Sequence, residues 1–327
     1  MEKYENYYLT ENKKEKLINY LLEQQNSDGS WKEVHSNYNY ESSLITSIVA
    51  SSLLTLDNYK DYEAEIKMAY RYIKSQEFHK GYFKKSDINY SDCLNVNATC
   101  GSFFSLYYSK YNQKEPKDIA LRAAHNVCYY QHPDGLFPYT TPINGYPYKY
   151  PLDVPCLHYQ GVTLHYLSLI HRSLNLPWLM HSILIGNKWL LNKQNKEGCF
   201  KWSNSGLMYS YYLTGAYAFA ISSYSYISSY NNKYIEHIEK NIRILNKNTK
   251  NGIINRWEKS NYISLPYDVF ISFKSAFLGN YPLSHYFFRI GYALYKQIAR
   301  RRYNEEYIDE DIFNFLSKIF KINSTWI

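Results

Sequence analysis

One pattern recurs five times and constrains the fold more than any other feature: Gln or Asn, a polar turn, Gly, then an aromatic or apolar residue two places on. Four copies are Gln25-Asn-Ser-Asp-Gly29-Ser-Trp31, Gln76-Glu-Phe-His-Lys-Gly81-Tyr-Phe83, Gln131-His-Pro-Asp-Gly135-Leu-Phe137 and Gln194-Asn-Lys-Glu-Gly198-Cys-Phe200. A fifth, degraded copy is Asn248-Thr-Lys-Asn-Gly252-Ile-Ile254. The glycines stand 52, 54, 63 and 54 residues apart, a period that marks a repeat architecture. Each part has a mechanical job. Gly supplies a positive φ where a helix ends. The Asp or Asn before it favours the turn. The following aromatic folds back onto the helix just left, and the Gln bonds backbone groups of the turn.

Two helical stretches per repeat flank these turns. Amphipathic helices are expected before them, at roughly 12–25, 61–76, 117–131, 178–194 and 233–247. Less charged helices are expected after them, at roughly 41–57, 92–110, 155–172, 206–229 and 268–279. A helix apolar on most faces is buried, so the second set predicts an inner ring and the first an outer ring. Two last helices, about 284–303 and 308–321, bring the count to twelve. The expected fold is all-α, an (α/α)6 toroid, with residues 1–327 as one domain.

Composition agrees. A 45% hydrophobic fraction supplies a large core, and only 13 Gly and 10 Pro in 327 residues argue against an all-β protein. Tyrosine is abundant, with 39 residues, and a Tyr ring with its hydroxyl suits a polar aromatic cavity. The net charge of +8 is spread along the chain, densest at Lys296 and Arg300 to Arg302. It reads as a solvated helix face, or as attraction to an anionic substrate or a membrane surface in peripheral contact. No nucleic-acid motif accompanies it. The N-terminal stretch lacks the apolar region of a signal peptide. No run reaches the ~18 apolar residues of a membrane span. Five irregularly spaced Cys give no disulfide framework. A cytoplasmic protein is expected.

The Gly-turn segments, Gln25 to Trp31 above all, resemble the QW-type repeats of terpenoid cyclases and protein prenyltransferases. The fold they imply also looks like that of glycan-active toroids: unsaturated uronyl hydrolases, polysaccharide lyases and sugar epimerases. The chemistry motifs of the first group are missing. There is no Asp-x-Asp-Asp string, no adjacent Asp pair, and neither Asp153-Val-Pro-Cys156 nor Asp92-Cys93 has the Asp-x-Cys spacing of a prenyltransferase zinc site. No metal and no cofactor are expected. Among the glycan-active toroids, uronyl hydrolases place essential Asp residues at inner-helix starts, and Asp92 and Asp153 match that placement by repeat position.

In such a toroid the inner helices all start at one end, and their N-termini ring the mouth of a central funnel, where helix dipoles favour anions. The loops leading there pair tyrosines with an acid: Tyr38, Tyr40 and Glu41; Tyr90 and Asp92; Tyr148, Tyr150 and Asp153; Tyr262, Tyr267 and Asp268. Such acids are either helix N-caps or acid–base groups. The densest segment, Asp153 to Gln160, places an acid, His158, Tyr159 and an amide at the start of the third inner helix. The expected catalytic set is Asp153, His158, Tyr159, Asp92 and Asp268. Substrate contacts are expected from Tyr90, Asn97, Tyr150, Gln160, Tyr209, Tyr212 and Tyr267, with Asn95 and Asn97 suited to a substrate carboxylate. The leading reading is an enzyme acting on a small or oligomeric saccharide, with a uronate-containing glycan as one candidate, by hydrolysis, elimination or epimerisation. The alternatives are a terpenoid cyclase-like or prenyl-binding toroid and a non-catalytic toroid that binds a glycan or protein.

Overall fold

The computed structural model describes residues 11–35, 38–87, 93–138, 157–194, 196, 198, 200, 219–247, 249–250 and 253–254. Nine α-helices among these residues alternate between two sets. The outer set is α1 (Glu11–Glu23), α3 (Glu63–Ser75), α5 (Lys114–Tyr129), α7 (Pro177–Asn192) and α9 (Lys233–Lys247). The inner set is α2 (Ser43–Leu54), α4 (Leu94–Tyr111), α6 (Leu157–Leu174) and α8 (Phe219–Ser228). Inner helices neighbour each other in the order α2, α4, α6, α8, and each packs on the outer helix that follows it. This is the α/α toroid the repeat predicts. The helices expected at 268–279, 284–303 and 308–321 lie outside the described residues.

The reason for the two rings is composition by face. Helices α2 and α8 carry no charged residue, and every residue of α4 from Leu94 to Ser105 is buried. Outer helices keep a charged face: α3 and α9 hold i,i+4 ion pairs, Lys67–Glu63 at 3.1 Å and Lys240–Glu236 at 2.7 Å. Two clusters of buried side chains fill the space between rings. One joins Trp31, Leu53, Ile66, Ile73, Phe83, Phe103 and Phe104 across α2, α3 and α4. The other runs from α4 to α9 through Leu164, Leu167, Ile183, Trp189, Phe200 and Tyr224.

The Gly turns fasten one repeat to the next. Gly29 has φ +92° and Gly135 φ +102°, both in the left-handed region. A Cβ on Gly29 would stand 2.5 Å from the Met68 carbonyl oxygen of α3; on Gly135 it would stand 2.4 Å from that of Ile185 in α7. The turn backbone therefore lies directly on the next outer helix. Gln25 Nε2 donates to Gly29 O and to Glu65 O of α3, both at 3.0 Å. Gln131 repeats this with Gly135 O at 3.2 Å and Ser182 O at 3.0 Å. The second turn has one residue more, and Glu77 takes over. Its carboxylate accepts from Gly81 N at 2.6 Å and pairs with Arg122 of α5 at 2.9 Å. Trp31 folds back as expected, its Nε1 donating to Leu21 O of α1 at 2.6 Å.

Short antiparallel hairpins add to the helices. Strands β1 (Lys32–His35) and β2 (Tyr38–Glu41) pair, as do β3 (Glu77–His79) with β4 (Tyr82–Phe83) and β5 (Thr249–Lys250) with β6 (Ile253–Ile254). The last pair brackets position 252 as β3 and β4 bracket Gly81. Strands of two to four residues leave no periodicity to read, which is why the sequence pattern showed only turns there.

Candidate functional site

The inner helices are set in register by a clasp. Trp31 N donates to Thr46 Oγ1 at 2.9 Å, Phe83 N to Asn97 Oδ1 at 2.8 Å, and Phe137 N to Gln160 Oε1 at 2.8 Å. Each donor is the aromatic after a Gly turn. Each acceptor is the fourth residue of the inner helix that follows: α2, α4 and α6. Gln160 also donates to Gly135 O at 3.0 Å and Gly186 O at 3.2 Å. Asn97 is wholly buried and Gln160 is 1% exposed. Both were expected to contact substrate. The structure turns Gln160 and the Asn97 carbonyl oxygen to the outer ring, where they satisfy backbone that would otherwise be buried unpaired.

Counting from the clasp gives equivalent positions on the three helices. The clasp side faces outward: on α4 a Cβ at Gly101 would touch Ala123 of α5, and on α7 one at Gly186 would touch Leu164 of α6. The opposite stripe, at two before and two, five and nine after the clasp, is turned away from the outer ring. It reads Leu44, Ile48 and Ser51 on α2, with the exposed Thr55 at its C-cap, and Asn95, Thr99, Ser102 and Leu106 on α4. On α6 the same register holds 158, 162, 165 and 169. The first of these, His158, holds in α6 the helix position that Asn95 holds in α4. Tyr159 adjoins it and is half-buried. Asn95 is 6% exposed, and its Oδ1 is buried with no hydrogen-bond partner.

Caps at the mouth differ from one of the two readings of the acids. The N-cap of α2 is Ser42, whose side chain accepts from Ile45 N at 3.4 Å, and that of α4 is Cys93. Glu41 and Asp92 are thus each one residue ahead of the cap. Glu41 pairs with Lys32 at 3.8 Å across the first hairpin, and Glu33 with Lys85 at 2.9 Å. Asp92, Asp153, Asp268, Tyr90, Tyr150, Tyr209, Tyr212 and Tyr267 lie outside the described residues.

Sequence reasoning missed a histidine. His165 of α6 and Ser222 of α8 are hydrogen-bonded through Nδ1 and Oγ at 2.7 Å. The imidazole lies against Tyr166 and Phe219. Burial, helped by the charge of Arg172, lowers its pKa from 6.5 to about 4, so the ring is neutral at physiological pH. Six residues further on, His171 Nδ1 meets Tyr226 Oη at 2.5 Å. The available signal was periodic: His165 is seven residues, two turns, after His158 on the same face. Among the described residues no group of three or more His, Cys, Asp or Glu is placed to hold a metal ion. No described helix is long and apolar enough to cross a membrane.

Comparison with known proteins places this geometry among the α/α toroids. A sugar epimerase from a ruminal bacterium superposes with TM-score 0.59 at 11% identity, covering 79% of this chain and 78% of that one. The cellobiose 2-epimerase of Spirochaeta thermophila gives TM-score 0.56 at 13% identity over 81% of this chain and 78% of its own. The unsaturated glucuronyl hydrolase of Bacillus sp. GL1 gives 0.54 at 11% identity over 63% and 61%. The chain spans less than two thirds of that hydrolase's length. No protein-family model matches the chain, and no curated protein does. At these identities the likeness establishes the fold.

Proposed function

We propose that this chain is a carbohydrate-active toroid enzyme whose funnel mouth performs acid–base chemistry on a saccharide. The observation that carries the reading is the inward stripe. It is polar and enclosed on α4, with Asn95, Thr99 and Ser102, and on α6 it sets the half-buried His165 beside the buried Val162. A lining of that kind supports a hydroxylated substrate and counts against the isoprenoid alternative, which calls for aromatic and aliphatic walls around a carbocation. The named activities of the fold neighbours, sugar epimerisation and glucuronyl hydrolysis, point the same way.

In this reading His158 and Tyr159, in the first turn of α6, act as base and acid. Asp92, Asp153 and Asp268 supply carboxylates from the loops that enter the inner helices. Tyr90, Tyr150, Tyr209, Tyr212 and Tyr267 offer ring faces and hydroxyls to the sugar. The basic excess of the chain suits a uronate. Turnover should be sought on a 4,5-unsaturated uronyl disaccharide for hydrolysis and on cellobiose for epimerisation. Asp153→Asn and His158→Ala should each abolish it while the circular-dichroism spectrum stays helical. Near-normal activity in both variants would remove this site.

A second reading, a glycan-binding toroid without catalysis, is favoured by the ion pairing of the first mouth acid, Glu41. Saccharide binding without turnover on either substrate would select it.

A further inference from the structure

The clasp register carries the site deeper than the mouth. Five residues after the clasp, the inward positions are Ser51 on α2, Ser102 on α4 and His165 on α6. Ser222 of α8 joins the same level through its bond to His165 at 2.7 Å. Four consecutive inner helices thus each place a hydroxyl or imidazole at one height. That height is about 10 Å along the helix from His158, at ~1.5 Å per residue.

Two members of this layer have hydrogen-bonding capacity to spare. Ser51 Oγ is buried and has no hydrogen-bond partner. The Ser222 hydroxyl is bonded to His165 Nδ1, and the ring tautomer sets which of the two donates. With Nδ1 engaged, Nε2 is the ring nitrogen left over, and no described residue bonds it. Ser51, His165 and Ser222 are half-buried rather than sealed. In a packed ring wall, unpaired buried polar atoms cost stability and are retained where a ligand or water completes them.

We infer that this layer is a second, deeper subsite that takes a hydroxyl-bearing end of a saccharide. His165 Nε2 and Ser51 Oγ are its hydrogen-bonding groups, and Ser222 holds the His165 ring through Nδ1. The inference rests on the carbohydrate reading of the funnel and goes beyond it in naming a contact far from the acid–base residues. His165 here is a binding group held by Ser222, and the mouth residues keep the chemistry.

The test is NMR of the full chain labelled at histidine Cε1, titrated with D-glucose, D-glucuronate and cellobiose at millimolar concentration. The His165 and His158 resonances are assigned by their loss in His165→Gln and His158→Ala. At least one sugar should move the His165 resonance. Ser51→Ala and Ser222→Ala should each weaken that sugar about threefold to tenfold, while Ser51→Ala leaves the thermal midpoint unchanged or higher. A sugar that moves His158 and leaves His165 still would overturn the deep subsite and keep the mouth. If no sugar moves either ring, the subsite is overturned and the carbohydrate reading goes with it. A Ser51→Ala variant that melts earlier would show the serine to be structural, and would also overturn the subsite.

Discussion

Two asparagines of α4, Asn95 and Asn97, stand two residues apart and do opposite work. Asn97 is wholly buried on the outward face, and its Oδ1 accepts the Phe83 amide at 2.8 Å. Asn95 is buried on the inward face, and its Oδ1 has no partner. The same residue type, in the same helix, completes the scaffold on one side and leaves hydrogen-bonding capacity open on the other. Other inward hydroxyls are satisfied within α4, Thr99 Oγ1 donating to Asn95 O at 2.7 Å and Ser102 Oγ to Thr99 O at 2.8 Å. Thr46 and Gln160 are satisfied by turn backbone, whereas Ser51 is left without a partner. The clasp residues should therefore set stability, and Asn95 and Ser51 binding.

The largest expected break lies where the turn meets the next outer helix. Gly135→Ala combines a left-handed φ with a Cβ 2.4 Å from the Ile185 carbonyl oxygen. It should cost about 3 kcal/mol or more, read as a fall in denaturant midpoint. A loss under about 1 kcal/mol would mean that the turn does not bear on α7 as described.

The next effect is a pH dependence on the inward side. His165 titrates near 6.5 when unfolded and near 4 when folded, with burial the main cause. Between those values the unfolded chain binds a proton that the folded chain refuses. Stability contributed by the neutral ring is complete above pH 6.5 and is lost as pH falls toward 4, by at most roughly 3 kcal/mol. His171 and His237 are lowered too, chiefly by burial, and act in the same direction. The slope of stability against pH should flatten in His165→Gln. An unchanged slope would show that His165 is not enclosed between α6 and α8.

The smallest effect sharpens the comparison most. Asn97→Leu should cost about 1–3 kcal/mol by stranding the Phe83 amide. Asn95→Leu should stay within about 1 kcal/mol of wild type, because it removes a buried oxygen that has no partner. Thermal unfolding of both variants checks this. Equal losses would erase the distinction between faces.

Much of the toroid was legible because its repeat is punctuated by residues with narrow uses. A glycine at positive φ and a glutamine that reaches the next outer helix recur at Gly29 and Gly135 with the same bonds. The clasp was not legible. Its three acceptors are Thr46, Asn97 and Gln160, different side chains after loops of unequal length, so only their place on the helix is shared. Asn97 and Gln160 were read as sugar contacts because an amide near a mouth is chemically suited to either task. The face decides between the two, and the face depends on register. His165 was passed over because a histidine in the middle of a helix, away from any acid in sequence, looks like core. Its partner Ser222 is 57 residues further on.

The central claim is that the clasp turns one stripe of each inner helix into the wall of a saccharide site. A crystal structure of the chain with whichever of D-glucose, D-glucuronate or cellobiose it binds tests this most directly. The account predicts a sugar inside the ring, touching inward positions on α4 and α6, with Asn95 and His165 among its hydrogen-bond partners. A sugar seated outside the ring, or held by Thr46, Asn97 or Gln160, would contradict it.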